Sequence, residues 1–114
     1  MDEYTNALQE LMQKDVLTPM EVKEGVVACF HNTNRNFVKR RMGDVPAQEV
    51  DMALSKLIIR VFNAHNIDPE KPDIYLLKQA EQALADRTGF EREPDLFKMH
   101  NEIIQTLFSR TKRN

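Results

Sequence analysis

The sequence has few glycines, one cysteine and almost no net charge. Its three glycines, Gly25, Gly43 and Gly89, are too far apart to form a glycine-rich phosphate loop or a dinucleotide-binding fingerprint. The single cysteine, Cys29, leaves no partner for an internal disulfide and cannot supply a four-cysteine zinc site. These shortages exclude the nucleotide-binding enzyme classes that depend on such loops, and they argue against a disulfide-stapled secreted domain.

Long apolar runs are also missing. The longest is Val26–Phe30, whereas a membrane-spanning helix needs about 20 apolar residues. The first four residues include neither the basic leader nor the apolar stretch of a signal peptide. Hydrophobic residues make up 41% of the chain and charged residues 30%, which is typical of a globular domain. We therefore expect a cytoplasmic protein with no membrane segment.

Five prolines divide the chain into segments with helical periodicity. Proline is tolerated in the first turn of a helix and disfavoured in its interior, so these prolines mark helix starts. The clearest start is the Thr-Pro-Met-Glu stretch at residues 18–21, which is a capping box with the threonine as N-cap. Asp73 is predicted to cap a later helix, and Gly43 and Gly89 are predicted to end two helices in the left-handed conformation.

Apolar residues recur at helical spacing in five segments, which predict helices over about residues 2–14, 19–42, 46–65, 73–88 and 94–110. The third segment has the broadest apolar face, so we expect its helix at the centre of the fold. Strand-like alternation is lacking, and the sequence therefore predicts an all-α fold: a compact five-helix bundle with short loops, forming a single helical domain over residues 1–114. The predicted core consists of Val26, Phe30, Phe37, Leu54, Leu57, Ile58, Val61, Leu77, Leu84, Ile103, Ile104 and Leu107.

Charge is unevenly distributed along the second segment, because no acidic residue lies between Gly25 and Gly43. Arginine and asparagine are common contacts of phosphates and base edges, so this segment is a candidate for phosphate or partner binding. Alternatively, these cations only complement the C-terminal end of a helix dipole. Carboxylates from other helices lying between them would weaken the nucleic-acid interpretation. The candidate residues are Asn32, Arg35, Asn36, Lys39, Arg40 and Arg41.

Neither metal-binding nor catalytic patterns are found. Cys29 and His31 are two residues apart, so on a helix they point about 200° away from each other. His65 and His100 fall on apolar stripes, where a hydrogen-bonded structural histidine is expected. No nucleophile motif surrounds Ser55. The sequence therefore predicts no metal, no cofactor and no catalytic centre, and we expect a protein that is not an enzyme.

Two functions remain. Met20, Met52 and Met99 lie off the main apolar stripes and are suited to an adaptable partner surface. The favoured prediction is a small protein-interaction module, such as an adaptor, regulator or subunit, that binds another protein or forms a homodimer. The alternative is a nucleic-acid-binding accessory protein that uses the basic C-terminal half of the second helix. A net charge of −2 favours the interaction module, because phosphate binding needs a basic excess.

Overall fold

The structure is a computed structural model that describes residues 3–111. This part of the chain forms an all-α bundle of five helices, as the sequence predicts. Each helix boundary that falls within the described residues lies within two residues of its predicted position. The elements are α1 (Glu3–Met12), α2 (Pro19–Met42), α3 (Ala47–Ala64), α4 (Ile74–Thr88), a 3₁₀ turn (Phe90–Arg92) and α5 (Pro94–Ser109).

The helix ends follow the local sequence. Thr18 accepts a hydrogen bond from the backbone N–H of Glu21, and the Glu21 side chain accepts one from the N–H of Thr18, so the predicted capping box is confirmed. Asp73 caps α4, and Gly89 ends it in the left-handed conformation. Gly43 ends α2 with φ 78° but ψ −148°, so it adopts a positive φ outside the expected left-handed helical region.

The centre of the bundle is α2, and not α3 as the apolar pattern led us to expect. α2 contacts α1, α3, α4 and α5. A Cβ atom on Gly25 would lie 2.8 Å from a methyl group of Leu107, so the absence of a side chain lets α5 approach closely. α3 instead lies at the edge, where Met52 and Ile59 are 53% and 60% exposed.

Most of the buried apolar residues form one connected hydrophobic cluster. Most of the predicted core belongs to it, whereas Phe37, Leu57 and Ile103 are only partly buried at its margin. Leu17 and Phe90 lie in connecting segments and are completely buried, which the helical periodicity did not indicate. Among the described residues, no helix combines the length and apolar character needed to cross a membrane.

Candidate functional site

The basic segment of α2 includes Arg35, whose guanidinium group faces α3. It forms a bidentate ion pair with Asp51, in which Arg35 Nε lies 3.0 Å from Oδ1 of the carboxylate. The hydrogen-bonded guanidinium lowers the pKa of Asp51 below its ordinary value. The same group lies 5.0 Å from the centre of the Tyr4 ring on α1. Arg35 therefore links three helices.

Arg40 and Arg41 near the end of α2 face the start of α5. Arg40 Nη1 lies 2.9 Å from the Asp95 carboxylate, and Arg41 Nη1 lies 3.3 Å from Oε2 of Glu93. Lys39 is exposed on the same helix. Carboxylates from α3 and from the start of α5 thus lie among the predicted cations, which is the arrangement that we expected to weaken the nucleic-acid interpretation.

The two predicted asparagines make contacts within the protein. Asn36 Nδ2 donates a hydrogen bond of 3.2 Å to the backbone oxygen of Asn32. Asn32 Oδ1 accepts one of 3.3 Å from the Thr5 hydroxyl of α1. Asn32 therefore contributes to the packing of α1 on α2, and Asn36 remains exposed beside the basic residues.

His31 is buried between α1 and α3, in a cluster that sequence reasoning did not anticipate. The Tyr4 ring stacks on the imidazole, with ring centres 4.2 Å apart and planes 4° from parallel. Ser55 Oγ lies 3.4 Å from Nε2, and Asp51 Oδ1 lies 3.6 Å from Nδ1. Burial lowers the pKa of His31, although the neighbouring Asp51 acts in the opposite direction.

The order of Ser55, His31 and Asp51 is that of a hydrolytic triad, but the surroundings do not fit that chemistry. The contact of 3.6 Å between His31 and Asp51 is too long for a hydrogen bond, and Asp51 is already engaged by Arg35. Ser55 lies inside α3, where backbone N–H groups are bonded within the helix and cannot stabilise an oxyanion. We therefore interpret the cluster as a structural contact between α1, α2 and α3.

A second buried cluster surrounds His100 of α5. Its Nδ1 lies 3.0 Å from the Thr33 hydroxyl and 3.3 Å from the Cys29 sulfur, and its Nε2 lies 3.7 Å from Oε2 of Glu81 on α4. Burial raises the pKa of Cys29 to about 12, so the thiol keeps its proton at neutral pH. The Cys29 side chain is therefore a hydrogen-bonding and packing group and not a nucleophile.

Cys29 and His31 belong to different clusters, as their spacing on α2 predicts. Within residues 3–111, no three or more histidine, cysteine, aspartate or glutamate side chains are grouped so that they could hold a metal ion. His65 is partly buried near the end of α3, with its Nδ1 3.0 Å from the backbone oxygen of Val61.

The C-terminal half of α2 and the N-terminal half of α3 leave an open hollow between them, which we call the α2–α3 groove. Its volume is about 480 Å³, and the end of α4 closes one side of it. Met42 is 73% exposed at the groove, whereas Phe37, Val38 and Leu57 are partly buried in its walls. Half of the other eight lining residues are also apolar: Val45, Val50, Ala53 and Leu54.

The outer surface of α3 adjoins this groove. A shallow hollow on α3 shares Glu49, Ala53 and Leu57 with it and adds Lys56 and Arg60. The end of α4 contributes a further cation, Arg87, and Glu49 is the carboxylate among the described residues that line the two hollows. The apolar groove therefore has a rim on which positive charge exceeds negative charge.

Comparison with known proteins identifies no relative of this chain. No protein-family model matches this sequence, and neither a curated protein nor a solved structure shows significant similarity to it.

Sequence reasoning missed Glu81 as a residue of interest. It lies between Leu77 and Leu84 on the buried face of α4 and is itself only 7% exposed. The available signal was a charged side chain at an apolar position of a helical stripe, because such a residue is rarely buried without a specific reason.

Proposed function

We propose that this protein is a non-enzymatic interaction module that holds an amphipathic helix of a partner protein in the α2–α3 groove. The observation that carries the proposal is the solvent-exposed apolar surface of the groove. Met42 is 73% exposed, and it lies beside partly buried Phe37, Val38 and Leu57. An exposed apolar groove with a polar rim is characteristic of an interaction site. The flexible Met42 side chain suits adaptation to a partner.

The dimensions support a helix as the occupant. The α3 wall of the groove extends from Glu49 to Leu57, which is about 12 Å along the helix axis and matches roughly two turns of a docked helix. A helix docked in a groove presents apolar anchors at positions i, i+3 or i+4, and i+7. Two turns are long enough to carry such a set of anchors.

The charges define the partner more closely. Lys56, Arg60 and Arg87 are present on the rim, and among the described lining residues they face a single carboxylate, Glu49. Charge complementarity selects partners and their orientation more than it adds affinity. The preferred occupant is therefore a helix whose apolar anchors are flanked by glutamate or aspartate.

The test is an NMR titration of the ¹⁵N-labelled protein with two synthetic helical peptides. Both carry leucine at positions i, i+4 and i+7, and they differ only in having glutamate or lysine at the flanking positions. We expect shifts at groove residues, and we expect about tenfold tighter binding of the glutamate peptide, equivalent to about 1.4 kcal/mol. Arg87→Glu should reduce this difference, because it reverses one rim charge.

A matched pair of variants locates the binding site. Ala53→Arg fills the groove with a long side chain, whereas Ala7→Arg makes the same change at an exposed position of α1. Binding should be lost in the first variant and kept in the second. Equal binding of both peptides, or full binding by Ala53→Arg, would overturn the proposal. A dimer in sedimentation that Ala53→Arg converts to a monomer would also overturn it, because the occupant would then be a second copy.

A further inference from the structure

A second hollow lies on another side of the bundle, between α4 and α5, and we call it the α4–α5 groove. Its volume is about 640 Å³, and it shares no lining residue with the α2–α3 groove. Two partly buried phenylalanines, Phe97 and Phe108, line it together with the amide side chains of Asn101 and Gln105. Glu81 also lines it, so this carboxylate connects the groove to the buried His100 cluster.

Glu81 is a buried carboxylate with an unsatisfied oxygen. The residue is only 7% exposed, and its Oε2 has no hydrogen-bond partner. His100 Nε2 lies 3.7 Å from this oxygen, which is beyond hydrogen-bonding distance. A buried carboxylate is costly unless a cation or several hydrogen bonds compensate it, so this side chain requires an explanation.

The other side-chain hydrogen bonds of His100 lie on the Nδ1 side of its ring. The Thr33 hydroxyl lies 3.0 Å from Nδ1, and the Cys29 thiol lies 3.3 Å from Nδ1 and donates a hydrogen bond of 3.9 Å to the His100 backbone oxygen. A lone pair on Nε2 facing the Glu81 carboxylate would be repulsive, so Nε2 carries a proton, but at 3.7 Å it leaves Oε2 without a hydrogen bond.

No lysine or arginine within the described residues forms an ion pair with Glu81. Lys78 lies three residues earlier on α4 and lines the same groove. Its ammonium group is instead positioned 5.6 Å from the centre of the Phe108 ring. The groove therefore already accommodates an ammonium group on an aromatic face, while its buried carboxylate has no lysine or arginine partner among the described residues.

We propose that the α4–α5 groove binds an alkylammonium group, with Glu81 as its charge partner. The Phe108 ring offers a face to the ammonium group, and the apolar side chains of Phe97 and Ile104 contact the attached alkyl chain. An ammonium group has three donors, and the amide oxygens of Asn101 and Gln105 supply acceptors beyond the carboxylate. The ligand is either a free amine or the side chain of a lysine in a peptide.

The test uses n-butylamine, n-butanol and Nα-acetyl-lysine methylamide as NMR titrants of the full chain. We expect n-butylamine to bind with a Kd in the millimolar range and n-butanol, which has the same chain without the charge, to bind at least tenfold more weakly. Comparable binding of acetyl-lysine methylamide would identify a peptide lysine as a ligand, whereas its failure to bind would identify a free amine. Equal binding of the amine and the alcohol, or no binding of either ammonium compound, would overturn the proposal.

Matched variants assign the charge partner. Glu81→Gln keeps the shape of the side chain and removes its charge, and Asp86→Asn makes the equivalent change at an exposed carboxylate of the same groove. The first should weaken binding at least tenfold, and the second should change it less than twofold. If Glu81→Gln does not fold, Lys78→Met remains a test, because removing the resident ammonium group should strengthen amine binding. Unchanged binding in Glu81→Gln, or in Lys78→Met, contradicts the proposal.

Discussion

At the level of single residues, the structure is distinguished by polar side chains that are buried in the bundle. Thr33, His31 and His100 are all less than a tenth exposed, and each contacts a residue of another helix. The sequence predicted structural roles for the histidines, because His100 falls on an apolar stripe. It could not predict their partners, since Ser55 and Glu81 reach them only through tertiary packing.

The burial of His31 predicts a pH dependence of stability. Its pKa is lowered in the folded protein, whereas the unfolded chain titrates near the ordinary value of about 6.5. The unfolded state therefore binds more protons as the pH falls below that value, and the free energy of unfolding decreases. Urea denaturation at pH 7.5 and 5.5 should show this loss, and His31→Phe should reduce it while keeping an aromatic ring against Tyr4. An identical loss in the variant would mean that other groups cause it.

At the level of helices, the sequence was most informative where a local signal acts alone. Capping residues such as Thr18 and Asp73 satisfy nearby backbone N–H groups, so their effect depends on a few neighbouring residues. The burial of residues in the segments between helices could not be predicted from such local signals. Leu17 is completely buried in the hydrophobic cluster, and its N–H donates a 2.7 Å hydrogen bond to the backbone oxygen of Arg110, a partner far away in the sequence.

The capping box at the start of α2 should contribute measurably to stability. Thr18→Ala removes the side-chain acceptor for the Glu21 N–H, and we expect the free energy of unfolding to fall by about 1 kcal/mol. Thr106→Ala is the matched control, because the Thr106 hydroxyl bonds only to the backbone oxygen of Glu102 within α5. That change should be neutral or slightly stabilising, given the higher helix propensity of alanine. Equal losses in urea denaturation of the two variants would contradict the role of the cap.

At the level of the whole molecule, the central position of α2 explains why α3 lies at the edge of the bundle despite its broad apolar face. A broad apolar face predicts burial of a helix but does not specify whether a neighbour covers all of it. Small residues such as Gly25 and Ala28 let α2 approach other helices closely, so α2 takes the central position. The remaining apolar surface of α3, at Met52 and Ile59, is left exposed. The α2–α3 groove is lined by other residues, among them Met42 and Leu57, so it is a separate apolar surface.

The distribution of charge over the whole molecule predicts weak binding to nucleic acid. The net charge is −2, and Arg35, Arg40 and Arg41 are engaged with carboxylates of other elements. Affinity for phosphates depends on an excess of unpaired cations and decreases steeply with added salt. In electrophoretic shift assays with mixed DNA and RNA, we expect at most weak binding at low salt and none at about 150 mM salt. Strong binding at the higher salt concentration that is lost in the Arg40→Glu, Arg41→Glu double variant would instead establish the basic segment as a nucleic-acid site. Circular dichroism of that variant serves as the control, because it shows whether the loss reflects a binding surface or an unfolded protein.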